Sequence, residues 1–143
     1  MIYTVIDLQF LLYKKATFLI GYFKLYMTQN DIFTFMDSCP QPTLLTTIDG
    51  IMVYANSSYK EQIYFGQGDR LTPVIDNIIE SSSSEPLIQA NALYCKYLES
   101  LFLKNKKTTI KKELFYYKQY VTLRTIVSVD CDDYILLMIS EEK

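Results

Sequence analysis

Histidine and tryptophan are absent from this chain of 143 residues. Without histidine the chain lacks the commonest general base and the commonest metal ligand. Ser-His-Asp and Cys-His catalysis, histidine-ligated haem and a histidine phosphoacceptor are all excluded within it. Cysteine is sparse and odd in number: Cys39, Cys95 and Cys131 stand alone. No CxxC spacing occurs, so no structural zinc site is expected. Isolated thiols of this kind fit a reduced, cytoplasmic protein. Glycine and proline number 4 each, so turns are few and each is informative. A surplus of positive charge is missing too. With 14 Lys+Arg against 16 Asp+Glu the net charge is -2, which argues against direct nucleic-acid binding. What is abundant is apolar and aromatic: half the residues are hydrophobic, with 13 Tyr and 8 Phe. That composition is globular, and the length fits one domain with one core.

Residues 1–30 form an apolar front, expected to be a helix outside the main domain. Ile2, Val5, Ile6, Leu8, Phe10, Leu11, Leu12, Phe18, Leu19, Ile20, Phe23 and Leu25 are interrupted by Lys14, Lys15 and Lys24. The longest uncharged run, Ala16 to Phe23, falls far short of the ~20 residues that a spanning helix needs. A basic start, apolar centre and small-residue cleavage site are not found together, so no signal peptide is read. The leading reading is an amphipathic helix that packs on its own domain or on a second copy, with Leu8, Leu11, Leu12, Phe18, Leu19 and Phe23 as the dimer interface. A membrane-surface helix flanked by the lysines is the second reading, and a poorly inserting anchor the third. Met27 is an alternative initiator to Met1. Thr28 to Asp37 then reads as a short helix capped by Thr28 or Asn30. Cys39-Pro40-Gln41-Pro42 ends it.

Pro40 to Ser58 is the most structured stretch. Thr43 to Ile48 is a strand, Asp49-Gly50 a two-residue hairpin turn with positive φ at both residues, and Ile51 to Ala55 the return strand. Asn56 stands as N-cap of a helix running to about Phe65. Gly66 to Asp69 is a turn, and its Gly-x-Gly is no dinucleotide fingerprint because it follows a helix and lacks a third glycine. Thr72-Pro73 opens another short helix with Val74, Ile75, Ile78 and Ile79 as its apolar positions. A long helix follows from Glu85 to about Lys104, with Leu87, Ala90, Asn91, Tyr94, Leu98, Leu101 and Phe102 as its apolar face. The lysines from Lys104 to Lys112 read as helix-end and strand-surface charges. The last third is β: Thr108 to Tyr117, Tyr120 to Val129 and Asp133 to Ser140. In the second strand Val121, Leu123, Thr125, Val127 and Val129 alternate with Tyr120, Thr122, Arg124, Ile126 and Ser128, so the odd set is expected to face a core. Tyr134 to Ile139 is apolar almost throughout, as a central strand is.

Two strands, three helices, three strands: layer packing turns that order into an α+β fold. With Pro42, the strand, Asp49-Gly50, the second strand ending Tyr54-Ala55-Asn56 and the long helix, it resembles a PAS domain over about residues 31–140, the domain itself running 31–143. The resemblance implies a five-stranded antiparallel sheet with helices over one face, plus the N-terminal helix. It also implies a regulatory sensor and dimerisation module of signal transduction, with the output in a kinase, cyclase or transcription-regulator partner. A ligand pocket between sheet and long helix would be lined by Tyr54, Ile63, Tyr94, Leu98, Leu114, Leu123, Val127 and Leu137, with Tyr94 and Tyr116 as polar handles. No cofactor is expected. Haem lacks a histidine, and Cys95 in Leu93-Tyr94-Cys95-Lys96 does not match the cysteine motif of flavin photosensors; an unidentified small molecule remains open. The alternative is a ligand-free interaction scaffold, associated with a membrane surface in one version. An enzyme is the weakest reading: Asp76, Glu80, Glu99 and Glu113 form no acid/base pair by spacing.

Overall fold

Asn56 ties the segment 36–43 to the helix that it caps. In the computed structural model, which describes residues 26–63, 73–115 and 117–142, its side chain is buried, with 2% exposure. Its Oδ1 accepts from the amides of Thr43 at 3.0 Å and Tyr59 at 2.9 Å. Its Nδ2 donates to the carbonyls of Met36 at 3.0 Å, Cys39 at 3.2 Å and Gln41 at 2.8 Å. Asparagine alone among the N-capping residues offers both an acceptor for the helix amides and two donors for carbonyls. One side chain therefore closes the end of α1 (Gln29–Ser38), the proline loop, the start of β2 (Thr43–Thr47) and the entry to α2 (Ser57–Gln62).

The strands are β1 (Tyr26–Met27), β2, β3 (Met52–Ala55), β4 (Thr109–Phe115), β5 (Lys118–Val129) and β6 (Asp132–Glu141). Their spatial order is β3-β2-β6-β5-β4, antiparallel throughout. β6 is central, as its continuous apolar run predicts. The five-stranded antiparallel sheet expected from the sequence gains one addition: Tyr26 and Met27 pair in parallel with Ser128 and Val129, at the end of β5 that β4 does not reach. On one face lie α2, α3 (Val74–Ser81) and α4 (Pro86–Asn105). On the other lies α1, its N-terminus closed by a capping box between Thr28 and Asp31. The boundary expected at residue 30 thus falls inside α1. Leu8, Leu11, Leu12, Phe18, Leu19 and Phe23 lie outside the described residues. No helix among the described residues is long and apolar enough to cross a membrane.

Two local expectations are corrected. The first hairpin is not a two-residue turn with positive φ at both residues. Thr47 pairs with Ile51, Gly50 N–H donates to the Thr47 carbonyl at 2.9 Å, and only Gly50 has positive φ, 85°. This is a three-residue loop ending in a left-handed glycine. The two-residue turn with both φ positive occurs instead at Asp130 (49°) and Cys131 (72°), between β5 and β6. The second correction is the phase of α4. Its core face is Ile88, Ala92, Cys95, Leu98 and Phe102, whereas Leu87 and Tyr94 point to solvent, 53% and 51% exposed. The helix is apolar nearly all round, so periodicity does not fix which face turns inward.

Replacing Asn56 with Ala removes a cap and takes a donor from the Cys39 and Gln41 carbonyls, and is expected to cost about 3 kcal/mol in urea denaturation. Asn56→Asp keeps the acceptor and loses the donors, so it should be destabilising by a similar amount. A loss below about 1 kcal/mol in either variant would contradict the linking role.

Candidate functional site

Alternation on β5 decides what the helices cover. Tyr120, Thr122 and Arg124 share a face with Leu137 and Ile139 of β6 and Leu44 and Thr46 of β2, because Thr122 pairs with Ile139, Arg124 with Leu137 and Leu137 with Leu44, while Tyr120 and Thr46 lie two residues along their strands. This face packs against α2, α3 and α4 in one cluster with Tyr59, Ile63, Val74 and Cys95. The odd set, Val121 to Val129, faces the opposite way. There Val127 and Val129 pack with Ile32 and Met36 of α1, together with Leu45 and Leu136.

The helix-covered face contains charge. The guanidinium of Arg124 donates from Nη1 to Glu113 Oε2 and from Nη2 to Glu113 Oε1, both at 2.7 Å. The side chains are 2% and 0% exposed. Glu113 sits opposite Tyr120 on β4, and Thr109 is the residue opposite Arg124, so the pair spans the β4–β5 ladder on the diagonal. Arginine suits this position because its planar fork meets a carboxylate with two parallel bonds. Burial works against the charge on Arg124, but Glu113, with Glu99 adding, more than offsets it and holds the guanidinium pKa above its ordinary value. Cys95 of α4 lies against the pair. Burial pushes its thiol up, and Glu113 adds to that, so Cys95 is a core thiol and not a nucleophile.

Glu99, one turn further along α4, is a second carboxylate beside the same guanidinium. Burial pushes its pKa up; Arg124 pulls it back, Glu113 and Asp76 push it further, and Lys96 opposes them. Gly50 makes room for it. A Cβ at Gly50 would stand 3.3 Å from Glu99 Oε1 and 3.5 Å from Pro73 Cβ. The Gly50 carbonyl also accepts from the amide of Val74 at 3.0 Å, so the hairpin tip, α3 and Glu99 meet at one point. A cavity of about 50 Å³ opens between sheet and helices at this point. Glu99, Arg124, Thr46 and Gly50 are its polar edge; Leu44, Tyr59, Ile63, Val74, Ile75, Ile78, Phe115, Ile135, Leu137 and Ile139 are among its apolar walls. That volume has room for a few water-sized groups, at about 10–15 Å³ of probe space each. Among the described residues no group of His, Cys, Asp and Glu is arranged to hold a metal ion.

The pocket residues expected from the sequence divide between the two faces. Ile63 and Leu137 line the cavity. Leu98 is buried in α4 but is not among the lining residues. Tyr94 is half exposed on the outer side of α4. Leu114, Leu123 and Val127 belong to the opposite face of the sheet, as their register shows. Tyr54 is there too: its ring stacks on Phe33 of α1 at 4.0 Å and its hydroxyl donates to Asp37 at 2.7 Å. Tyr116 lies outside the described residues. Among the candidate acids, Asp76 is paired with Lys96 and Glu80 is exposed, while Glu113 and Glu99 are the two that the fold brings together.

No known family model and no curated protein matches the chain. Its backbone does match solved structures. The PAS domain of Bordetella pertussis BvgS superposes with a TM-score of 0.53 over 80% of this chain and 85% of that one, at 10% identity. The fold is a PAS fold. An RNA-binding light-oxygen-voltage receptor matches 78% of this chain with 32% of its own length, with a TM-score of 0.51 and 9% identity. A PAS domain from a two-component sensor histidine kinase covers 94% of this chain and 99% of its own, with a TM-score of 0.47 and 11% identity. At such identities the likeness is one of PAS architecture, and the charged cluster in the cup has to be read from this chain alone.

Two measurements test the cluster. Arg124→Met leaves Glu113 buried and unpaired, and should cost about 3–5 kcal/mol, while Arg124→Met with Glu113→Leu should recover most of the loss. A double variant no more stable than the single would contradict the pairing. For Glu99 the folded pKa lies above the unfolded one. Its stability contribution is therefore complete below the unfolded value of about 4.3 and is lost as pH rises through the folded value. Glu99→Gln should raise the melting temperature relative to wild type near neutral pH, with the difference shrinking toward pH 4. A difference that is constant with pH would contradict the buried carboxylate.

Proposed function

We propose that this chain is a regulatory sensor module of a signal-transduction protein, and that the cavity beside Arg124 and Glu99 is its input site. The observation that carries the reading is a second carboxylate held next to a fully paired, buried guanidinium, at the edge of a cavity in an otherwise apolar cup. A core built for packing alone gains nothing from a surplus buried carboxylate. Perturbed titratable groups grouped at a cavity are what ligand-responsive sites contain. The ligand that fits is a molecule of a few heavy atoms with a polar end toward Glu99 and Arg124. The PAS architecture shared with BvgS and the light-oxygen-voltage receptor supports a signalling role. An output kinase, cyclase or transcription regulator belongs to this reading, as do a cytoplasmic location and self-association through the apolar residues 1–30. A second reading, a ligand-free interaction scaffold, is favoured by the small size of the cavity.

Native mass spectrometry of the purified chain separates the two. The sensor reading expects a retained small-molecule mass, or a metabolite-library hit that raises the melting temperature. At a hundredfold excess over Kd a single site stabilises by about 2.7 kcal/mol. Glu99→Gln should abolish that shift while remaining folded. An unliganded spectrum together with no thermal shift from any compound would give the chain to the scaffold reading.

A further inference from the structure

The outward side of α4 is apolar where a surface helix is ordinarily polar. Leu87, Leu93, Tyr94 and Tyr97 are 53%, 51%, 51% and 57% exposed, with Ala90 exposed among them and Leu101 half-buried beyond. Leu87, Ala90, Tyr94, Tyr97 and Leu101 follow the alternating three- and four-residue spacing of a helix-pairing stripe. The stripe lies opposite the core face of Ile88, Ala92, Cys95 and Phe102. Its two ends carry opposite charge. Exposed Glu85 stands at the start of the helix, and exposed Lys104, Lys106 and Lys107 at its finish.

We propose that this face docks a second copy of the chain, α4 against α4, antiparallel about a two-fold axis near Tyr94. Three independent features select that occupant. A two-fold antiparallel pairing sets the lysine end of each copy beside the glutamate end of the other. It also opposes the two helix dipoles. Centred on Tyr94, it places Leu87 opposite Leu101 and Ala90 opposite Tyr97, small against large, with the two Tyr94 rings meeting at the axis. A parallel pairing would instead put lysines against lysines. The 20-residue helix is about 30 Å long, so the strip covers on the order of 400 Å² per copy. That is about half the area per partner of a standard interface, so the dimer is weak, reversible and sensitive to salt. It is a surface distinct from residues 1–30.

The test is disulfide trapping in the full chain, with exposed Cys131 replaced by Ser. Tyr94→Cys should form a cross-linked dimer under mild oxidation at least fivefold faster than Lys60→Cys, and the excess should fall in high salt. Adding Lys104→Glu and Lys107→Glu should abolish the excess. Mixing that variant with one carrying Tyr94→Cys and Glu85→Lys should restore it, which mere loss of folding would not allow. Equal cross-linking rates at positions 94 and 60, or a rate indifferent to charge reversal, would overturn the proposal. So would a monomer in which the thiol introduced by Tyr94→Cys resists alkylation, since the face would then be covered by the chain's own residues.

Discussion

Arg124 and Glu113 occupy positions where the concave face of a sheet is ordinarily hydrocarbon. They come from adjacent strands and are joined by two bonds of 2.7 Å. An ion pair with almost no exposure is tolerated only when its geometry is nearly complete, because either partner left alone would be an unpaired charge in a dry core. The elements around it are arranged to that end. The β4–β5 register sets the diagonal, Cys95 fills the space over the pair, and Leu137 and Ile139 of central β6 flank it. Glu99 then approaches from α4, in the space left by a glycine that has no Cβ to block it. The result is one cation facing two carboxylates, only one of which is satisfied by a bidentate bond.

The two faces of the sheet do different physical work. The inner face combines an apolar wall with the charged cluster and a small cavity. The outer face is closed by α1 through Ile32, Met36 and the Phe33–Tyr54 stack. Asn56 connects them, since its single amide bonds the end of α1 to the start of the first inner-face strand and to the helix that follows. A change of packing in the cup has a route to α1 through that residue and through the shared strands. The outer stripe of α4 lies on the same helix that carries Glu99 and Cys95.

Local chemistry was legible in the sequence and facing was not. The hairpin at Gly50, the cap at Asn56, the Pro73 helix start and the three terminal strands are all encoded within a few residues, and a sheet with helices on one face follows from them by layer packing. The cup lining depended on the phase of β5. Alternation assigns the apolar parity to the core, but β5 is covered on both faces, by the helices on one side and by α1 on the other. Val127 thus packs against α1, and Arg124, whose parity reads as solvent-facing, is among the most buried side chains. One signal did exist. Basic residues here are nearly all lysine, with arginine only at Arg70 and Arg124. An arginine within a β run of such a chain points to a paired, desolvated site. Glu113 and Glu99 carried no such mark, because a lone glutamate in a strand or helix looks the same whether it is solvated or buried.

The cup holds a second, partly buried carboxylate, Glu99, whose pKa burial raises above its ordinary value. The direct measurement is a carbon-13 NMR titration of the Glu99 side-chain carboxyl in the full chain. That placement predicts a midpoint clearly above the ordinary glutamate value of 4.5. A midpoint at or below the ordinary value in the unliganded chain would contradict it, and would return Glu99 to the solvated helix surface.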